Sequence, residues 1–193
     1  MKLDLVHDIQ GGYRKVLNSM ARPGIIESLL NESIKVDTEI NFFKSTFLIM
    51  LMLLDREVSF NIISKNSADI SSIVSQMTYA KVRPANEADY LFVMKDSCEE
   101  MLKDTLSKAK IGDLINPNKS ATIIAEFEEI INDGNLEFSG PGIKEINKVY
   151  ISGNSDWIKA REIKNEEYPL GIDIICLDKK DNVLCIPRTT RIK

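Results

Sequence analysis

Hydrophobic positions in the first third of the chain follow a helical period and then a strand-like one. Residues 8–21 carry apolar side chains at three- and four-residue spacing, which predicts a helix with one buried face. This helix is predicted to end at Arg22, because the residue before Pro23 is disfavoured in the α region. Residues 24–30 (GIIESLL) indicate a short strand, and residues 42–54 are apolar almost all round, which is typical of a buried helix.

The middle of the chain continues this alternation. Segments rich in β-branched and aromatic residues predict strands, and these lie at 57–63, 88–95, 120–127, 135–140 and 149–151. Helices are predicted at 67–77, from Asp96 or Ser97 onward, and at 155–162. Strands that alternate with helices favour a layered α/β domain with a mixed sheet over separate helical and β domains.

The clearest local pattern is a β-hairpin near the end of the chain. It is predicted by residues 171–178 (GIDIICLD) and 183–187 (VLCIP), which KKDN separates. A loop of either two or four residues would place Cys176 opposite Cys185. Paired residues lie on the same face of a sheet, so we expect two neighbouring buried side chains, with the thiols reduced.

The composition fits one globular domain spanning residues 1–193. Apolar residues make up 44% of the chain and charged residues 28%, which is typical of a soluble folded protein. A length of 193 residues is enough to bury one sizeable core. No internal repeat or linker divides the sequence.

The charge and the apolar runs argue against several classes of protein. The net charge is −4 and Lys and Arg form no long block, which argues against a nucleic-acid binder. The start of the chain lacks the pattern of a secretory signal. The most apolar run, TFLIMLMLL, has about half the length of a membrane span. We expect a cytoplasmic protein that binds neither nucleic acid nor membrane.

Metal-ligating and nucleophilic residues are few. Cys98, Cys176 and Cys185 do not have the spacing of a zinc motif, and His7 is the only histidine. A Ser-His-Asp or Cys-His arrangement is hard to build from one histidine. We therefore expect no metal site and assign no catalytic residue, and we interpret His7 as leading into the first helix.

Three stretches rich in glycine and proline stand out: MARPG, SGPGI and YPLGID. In the second, Gly140, Pro141 and Gly142 combine one restricted backbone angle with two free ones, so this turn can approach a ligand or a neighbouring chain closely. The alternative is a turn that only ends a strand. None of the three is a GxGxxG or a P-loop motif, so no nucleotide motif is present.

The chain ends with PRTTRIK, in which Arg188 and Arg191 flank Thr189 and Thr190. Guanidinium groups bind carboxylate or phosphate through paired hydrogen bonds, and threonine hydroxyls add further donors. The segment indicates an anion-binding or subunit-facing cluster; charge that protects an edge strand is an equally good interpretation. Arg22 is a weaker candidate for the same role, since the last carbonyls of a helix already favour a cation there.

Taken in order, seven motifs resemble the PhnH family of phosphonate-metabolism proteins: YRKVLNSMARPG, LLDREVSF, ADYLF, NPNKSAT, FSGPGI, YPLGIDIICL and LCIPRTTR. The resemblance runs from Gly12 to Arg191. Each motif is weak alone, and their common order makes the match specific. Within it, Arg188, Thr189 and Thr190 belong to a recurring signature at the end of the last strand.

The resemblance implies a three-layer α/β/α fold with a mixed sheet, similar to the large domain of pyridoxal-phosphate-dependent transferases but without their cofactor site. It implies no cofactor, a homodimer, and membership of a core complex with the subunits PhnG, PhnI and PhnJ. That carbon–phosphorus lyase system forms a ribose 1-phosphonate 5-triphosphate from ATP and an alkylphosphonate.

Three hypotheses for the function follow. The first is an assembly subunit with no self-contained active site. The second is a catalytic or substrate-anion-binding subunit, which would hold a small phosphonate or a nucleotide. The third is an independent pyridoxal-phosphate enzyme, although no lysine is placed recognisably enough to be given the Schiff-base role.

Overall fold

The computed structural model describes residues 3–37, 40–97 and 100–193. Cys98, one of the three cysteines considered above, lies outside these residues. Within them, no helix combines the length and the hydrophobicity that a membrane crossing would need.

The helices predicted at 8–21, 42–54, 67–77 and 155–162 are confirmed to within about two residues at each end, the usual uncertainty of such boundaries. The helix predicted from Asp96 or Ser97 onward is confirmed from Glu100, and its predicted start adjoins residues 98–99, which lie outside the described residues. The helices are α1 (His7–Ala21), α2 (Leu30–Ser33), α3 (Lys44–Leu53), α4 (Ser67–Thr78), α5 (Glu100–Lys108) and α6 (Asp156–Lys164), with a 3-10 turn at Pro117–Lys119. The strands are β1 (Glu27–Ser28), β2 (Ser59–Ile63), β3 (Lys81–Val82), β4 (Tyr90–Val93), β5 (Thr122–Phe127), β6 (Ile130–Ser139), β7 (Asn147–Ile151), β8 (Asp173–Asp178), β9 (Asn182–Ile186) and β10 (Arg191–Ile192).

The larger of two sheets is mixed, as predicted. Its seven strands have the order β1-β9-β8-β5-β4-β2-β3. Strands β3, β2, β4, β5 and β8 are parallel, whereas β9 pairs antiparallel with both β8 and β1. The smaller sheet is antiparallel and has the order β10-β6-β7.

Apolar side chains fill both faces of the larger sheet. On one face, α1, α3 and α4 contribute Val16, Phe47 and Val74 to a common core. On the other face, α5 and α6 contribute Leu106 and Trp157, and the smaller sheet adds to the same core. Strands buried on both faces read as nearly continuous apolar runs, which is why β4, β5 and β8 were visible in the sequence. The α/β class is confirmed.

The first predicted strand is largely wrong. Of residues 24–30 only Glu27–Ser28 form a strand, because Gly24 still belongs to the turn after α1 and Leu30 already begins α2. Gly24 has a φ of 92°, a conformation that favours glycine.

The strands predicted at 135–140 and 149–151 are longer in the structure and pair in the smaller sheet. Strand β6 begins at Ile130 and has a bulge between Asn132 and Leu136. Asp133 lies within this bulge with a φ of 60° and is followed by Gly134. An Asp-Gly pair is normally a turn signal. Here the pair adds residues to a strand without ending it. The sequence pattern therefore predicted a shorter strand than the observed one.

The C-terminal hairpin is confirmed, but its predicted register is wrong. Cys176 pairs with Leu184, and Cys185 pairs with Ile175, one residue away from the predicted pairing. Successive residues of a strand point to opposite faces, so Cys176 lies in one core and Cys185 in the other. The two thiols are not neighbours. Burial raises the pKa of Cys185 to about 12, so this thiol stays protonated.

An odd-length turn causes this change of register. Asp181 has a φ of 60° and its N–H donates to the carbonyl oxygen of Asp178 at 3.0 Å. The buried carboxylate of Asp178 accepts from the backbone N–H groups of Lys180 and Asn182 at 2.8 and 2.9 Å. These contacts select a three-residue loop, a common hairpin type, instead of the even loops that the sequence suggested.

Candidate functional site

The final segment connects the two sheets. After β9, the N–H of Thr190 donates to the carbonyl oxygen of Pro187 at 2.9 Å, and this turn leads into β10. Strand β10 pairs with β6 of the smaller sheet. Thr190 is only 2% exposed and Ile192 only 4%, so this part of the segment is not a solvated end.

Arg188 holds several parts of the chain together. Its Nε and Nη2 atoms donate to the two carboxylate oxygens of Asp173 at 3.3 and 2.6 Å. Its Nη1 atom donates to the carbonyl oxygens of Pro117 and Pro169, and Nη2 also donates to Ser120 Oγ at 2.7 Å. Every N–H donor of the guanidinium therefore has an acceptor within the protein. An external anion would have to compete with these contacts.

The SGPGI turn lies between the MARPG turn and the final segment. A Cβ atom on Gly140 would stand 2.9 Å from the carbonyl oxygen of Thr189, and one on Gly142 would overlap the carbonyl oxygen of Ala21. The two glycines have φ values of 131° and 83°. Glycine is therefore required at both positions, by conformation and by contact. The turn does approach neighbouring chain segments closely, and these segments belong to the same molecule.

Arg22 lies beside this region, in the turn whose Ala21 and Pro23 contact Gly142. The side chain of Arg22 is exposed and makes no hydrogen bond with the described residues. The neighbouring Pro23 accepts a hydrogen bond from Asn147 Nδ2 at 2.7 Å through its carbonyl oxygen, which ties the MARPG turn to β7. Arg22 thus ends α1, as its position in the sequence already explained.

Arg161 is a site residue that the sequence interpretation missed. It lies on α6 and is 1% exposed. Its Nη1 and Nη2 atoms donate to the carbonyl oxygens of Thr190 and Pro187 at 3.0 and 2.5 Å. Burial lowers the pKa of this guanidinium to about 10, so it remains charged at neutral pH. One signal was available: Arg161 follows Trp157 by four residues, and such residues share a helix face.

These segments surround a cavity of about 870 Å³, here called the C-terminal cavity. Its walls come from the SGPGI turn, from α6 with the loop after it, and from the final segment. Six of the predicted site residues line it: Gly140, Pro141, Arg188, Thr189, Thr190 and Arg191. Arg22 and Gly142 are not in its lining. The charged side chains of the lining are Arg161, Arg188, Arg191, Lys193, Glu162 and Glu166.

A second cavity, of about 620 Å³, lies at the carboxyl ends of β2, β4 and β5 and is here called the strand-end cavity. Open α/β sheets commonly bind ligands at this edge. Its most enclosed carboxylate, Glu126, accepts hydrogen bonds from the N–H groups of Phe43 and Lys95, both at 3.0 Å, and from Thr46 Oγ1 at 2.6 Å. Both oxygens of Glu126 are therefore occupied by the protein.

Replacing Glu126 by glutamine should change how stability depends on pH. Burial raises the pKa of Glu126 above its ordinary value of 4.5, although three hydrogen bonds oppose the effect. A carboxyl group with a raised pKa stabilises the fold below pH 4.5, and this contribution is lost as the pH rises through the folded-state pKa. In denaturant titrations we expect the wild type to lose unfolding free energy, relative to Glu126→Gln, as the pH rises above 4.5.

Glu129→Gln is a control for which the contribution to stability should depend on pH in the opposite direction. The hydrogen bond from Lys180 Nζ, at 2.7 Å, lowers the pKa of Glu129. Its contribution is present above the ordinary pKa and is lost as the pH falls. If the wild type and Glu126→Gln gave parallel stability profiles across the acid range, the raised pKa of Glu126 would be wrong.

His7 and the turn residue Asp55 both serve local structure. His7 is the first residue of α1, where its Nδ1 atom lies 2.8 Å from Asp4 Oδ2, which agrees with its interpretation as a residue leading into the helix. Asp55 accepts the N–H of Glu57 at 2.8 Å within a turn. No group of three or more His, Cys, Asp or Glu residues within the described ranges is arranged to hold a metal ion.

Comparison with known proteins gives one family and two relatives. Residues 3–193 match the family model described as bacterial phosphonate metabolism protein (PhnH). The putative C-P lyase subunit protein HtxG of Stutzerimonas stutzeri is 32% identical over 112 residues, which cover 58% of this chain and 55% of the relative. The alpha-D-ribose 1-methylphosphonate 5-triphosphate synthase subunit PhnH of Rhizobium meliloti (strain 1021) is 27% identical over 199 residues, which cover 98% of this chain and 92% of the relative. The match thus spans about half of the first relative and nearly all of the second.

Proposed function

The chain belongs to the PhnH family of bacterial phosphonate metabolism proteins, and on that premise we propose that it is a subunit of a carbon–phosphorus lyase complex for the breakdown of organic phosphonates. The observation that carries this proposal is the family match over residues 3–193. The names of both relatives, each called a subunit, support it further.

The proposed role is mainly assembly, in support of the formation of ribose 1-phosphonate 5-triphosphate from ATP and an alkylphosphonate. Several predicted site residues are engaged in holding the molecule together, which supports this role. Arg188 uses its donors on the protein itself, and Gly140 and Gly142 allow loops of the same chain to pack. The value of such a subunit lies in the surface that it presents to other subunits.

The resemblance to the PhnH family implies five more specific features, which are part of this proposal. They are a single domain, a homodimer, the partners PhnG, PhnI and PhnJ, a cytoplasmic location, and a likeness to the large domain of pyridoxal-phosphate-dependent transferases. The first two are tested by limited proteolysis and by the mass of the purified protein in solution. Light absorption of the purified protein in the Schiff-base band would favour the pyridoxal-phosphate hypothesis instead.

Exposed apolar side chains on α1 and on α2 offer two candidate surfaces for partner contact. Tyr13 and Leu17 lie one helical turn apart on α1 and are 43% and 48% exposed. On α2 and directly after it, Leu30 and Ile34 are 47% and 63% exposed. Helix α1 contacts α2 through Gly11 and Lys15, on the flank of α1 opposite Tyr13 and Leu17, so the two pairs of exposed side chains are separate. Of the two pairs, Tyr13 and Leu17 lie on one face of a regular helix, and neighbouring exposed apolar side chains of this kind are candidates for protein contacts.

Leu17→Glu should therefore abolish or strongly reduce co-purification with PhnG, PhnI and PhnJ, or disrupt the homodimer. Leu17 is about half exposed, so its replacement should alter the free energy of unfolding by only about 0.5 kcal/mol. Co-expression with a tag on one partner, followed by size-exclusion chromatography, measures the effect. Ile163→Glu, at an apolar residue of α6 that is 66% exposed, is the control. If Leu17→Glu and Ile163→Glu were recovered equally in the complex, α1 would not be part of the interface.

A second candidate function is the binding of a substrate anion, a small phosphonate or the phosphates of a nucleotide. One observation favours it: Arg161, which is 1% exposed, lines the C-terminal cavity and pairs with no described carboxylate. The assembly role and anion binding are compatible, and separate experiments test them.

A further inference from the structure

Two buried polar atoms at the C-terminal cavity lack hydrogen-bond partners. They are Arg161 Nε and Thr190 Oγ1, in residues that are 1% and 2% exposed. Within the described ranges, four buried side-chain atoms lack partners, the others being Ser45 Oγ and Asp96 Oδ1. Buried polar groups almost always have a partner. Two exceptions in residues that line one cavity and are joined by a hydrogen bond therefore indicate a ligand.

The guanidinium of Arg161 also lacks a counter-charge. It forms no ion pair with a described carboxylate, and its partners are the carbonyl oxygens of Thr190 and Pro187. Charged groups that are buried are normally paired. Glu162 and Glu166 line the same cavity, as do Arg188, Arg191 and Lys193. Of these, Arg188 already has Asp173 as its partner.

We propose that the C-terminal cavity binds a tetrahedral oxyanion, phosphate or phosphonate, to which Arg161 Nε–H and Thr190 Oγ1–H donate hydrogen bonds. Both atoms can donate, and a tetrahedral oxyanion supplies several acceptors together with the missing negative charge. Arg191, which is exposed at the same cavity, adds a cation at its rim. Arg188 has the structural role, whereas Arg161 receives the ligand.

Neither atom reaches solvent in this conformation. The anion therefore enters only if the turn from Pro187 to Thr190 shifts away from α6. Because the anion binds the shifted turn, bound phosphate should speed hydrogen exchange at the amide of Thr190, the donor that closes this turn. A static cavity wall would show no such change.

This inference rests on the second candidate function and goes beyond the assembly role. It is tested on the isolated chain, without any partner subunit. The subunit proposal therefore stands if no anion binds, and the anion site stands if the complex fails to assemble.

The test is calorimetric titration of the purified protein with inorganic phosphate, methylphosphonate and ATP in separate experiments. Thr190→Val removes the hydroxyl and keeps the shape, and it should weaken binding of the preferred probe about tenfold, the loss typical of one hydrogen bond to a charged group. Thr78→Val is the matched control: Thr78 is also a buried threonine, but its hydroxyl donates to Val74 and accepts from Ala80. Its affinity for the probe should equal that of the wild type.

Thermal unfolding is an independent test, because adding phosphate should reverse the order of stability of the wild type and Thr190→Val. Without phosphate, Thr190→Val should be at least as stable as the wild type, because it removes an unpartnered hydroxyl. With phosphate, the wild type should gain more in Tm than Thr190→Val. Thr78→Val should lose stability in both conditions and gain as much from phosphate as the wild type does.

The outcomes separate the alternatives. Preference for methylphosphonate indicates a phosphonate site, and preference for ATP indicates a site for nucleotide phosphates. Arg161→Met should abolish binding, and Thr190→Val preserves the test if Arg161→Met does not fold. If no probe binds the wild type, or Thr190→Val binds with unchanged affinity, the site is overturned, and a water molecule would then satisfy the two atoms.

Discussion

Replacing Arg188 by methionine should lower the free energy of unfolding by about 3 kcal/mol, near the lower end of the range for breaking a buried ion pair. The side chains of Arg188 and Asp173 are 18% and 22% exposed, so solvent screens the pair only partly. The substitution leaves Asp173 without its cation, and it leaves Pro117, Pro169 and Ser120 without their donors. Unfolding in urea, followed by far-UV circular dichroism, measures the change.

Arg191→Met is the matched control at the same segment. Arg191 is exposed and has no ion pair with a described carboxylate, so its loss should alter the free energy of unfolding by about 0.5 kcal/mol or less. Arg188→Lys should lose most of what Arg188→Met loses, because an ammonium group cannot reproduce the planar fork. If Arg188→Met were as stable as Arg191→Met, Arg188 would be free to serve as the anion-binding residue that the sequence suggested.

Gly142→Ala should destabilise the protein by about 3 kcal/mol, which combines a strained backbone angle with a steric overlap. Gly142 has a φ of 83°, and a Cβ atom there would overlap the carbonyl oxygen of Ala21 and stand 3.0 Å from Pro23 Cδ. The obstacle includes backbone, so a rotation of one side chain cannot relieve it. The SGPGI and MARPG turns would have to separate. Urea unfolding of the variant measures the loss.

Gly11→Ala is the control for this substitution. Gly11 lies inside α1, and the nearest atom to an added Cβ is the far end of the Glu32 side chain, at 3.3 Å. Alanine is favoured over glycine within a helix, so Gly11→Ala should be neutral or stabilising by up to about 1 kcal/mol. If Gly142→Ala unfolded at the same urea concentration as the wild type, the SGPGI and MARPG turns would not pack as closely as described.

The candidate site could be found in part from the sequence. Arg188 and Thr190 were recognised because guanidinium groups and hydroxyls occur together in a short segment. Their separate roles depend on contacts with Asp173 and Arg161, which lie 15 and 29 positions away along the chain. Arg161 was missed because a lone arginine on a short helix resembles a solvated one, until the packing of Trp157 shows that its face is buried.

The three turns illustrate the same division. MARPG, SGPGI and YPLGID were each recognisable as a turn, since proline and glycine act on the local backbone. Their contacts were not recognisable: SGPGI packs on MARPG and on the final segment, and YPLGID packs on Arg188. They depend on Gly142 packing on Ala21 and on the carbonyl oxygen of Pro169 accepting from Arg188.

The sequence by itself determined the α/β class, the main helices, the buried strands and the resemblance to a family, because periodicity, turn residues and motif order are local properties of the chain. The tertiary structure decided the register that separates Cys176 from Cys185, the contacts of Arg188, and the burial of Arg161. Each depends on which distant segments meet. A three-residue loop held by Asp178 moved the hairpin by one position. The cavity in turn depends on the path of the last residues from one sheet to the other.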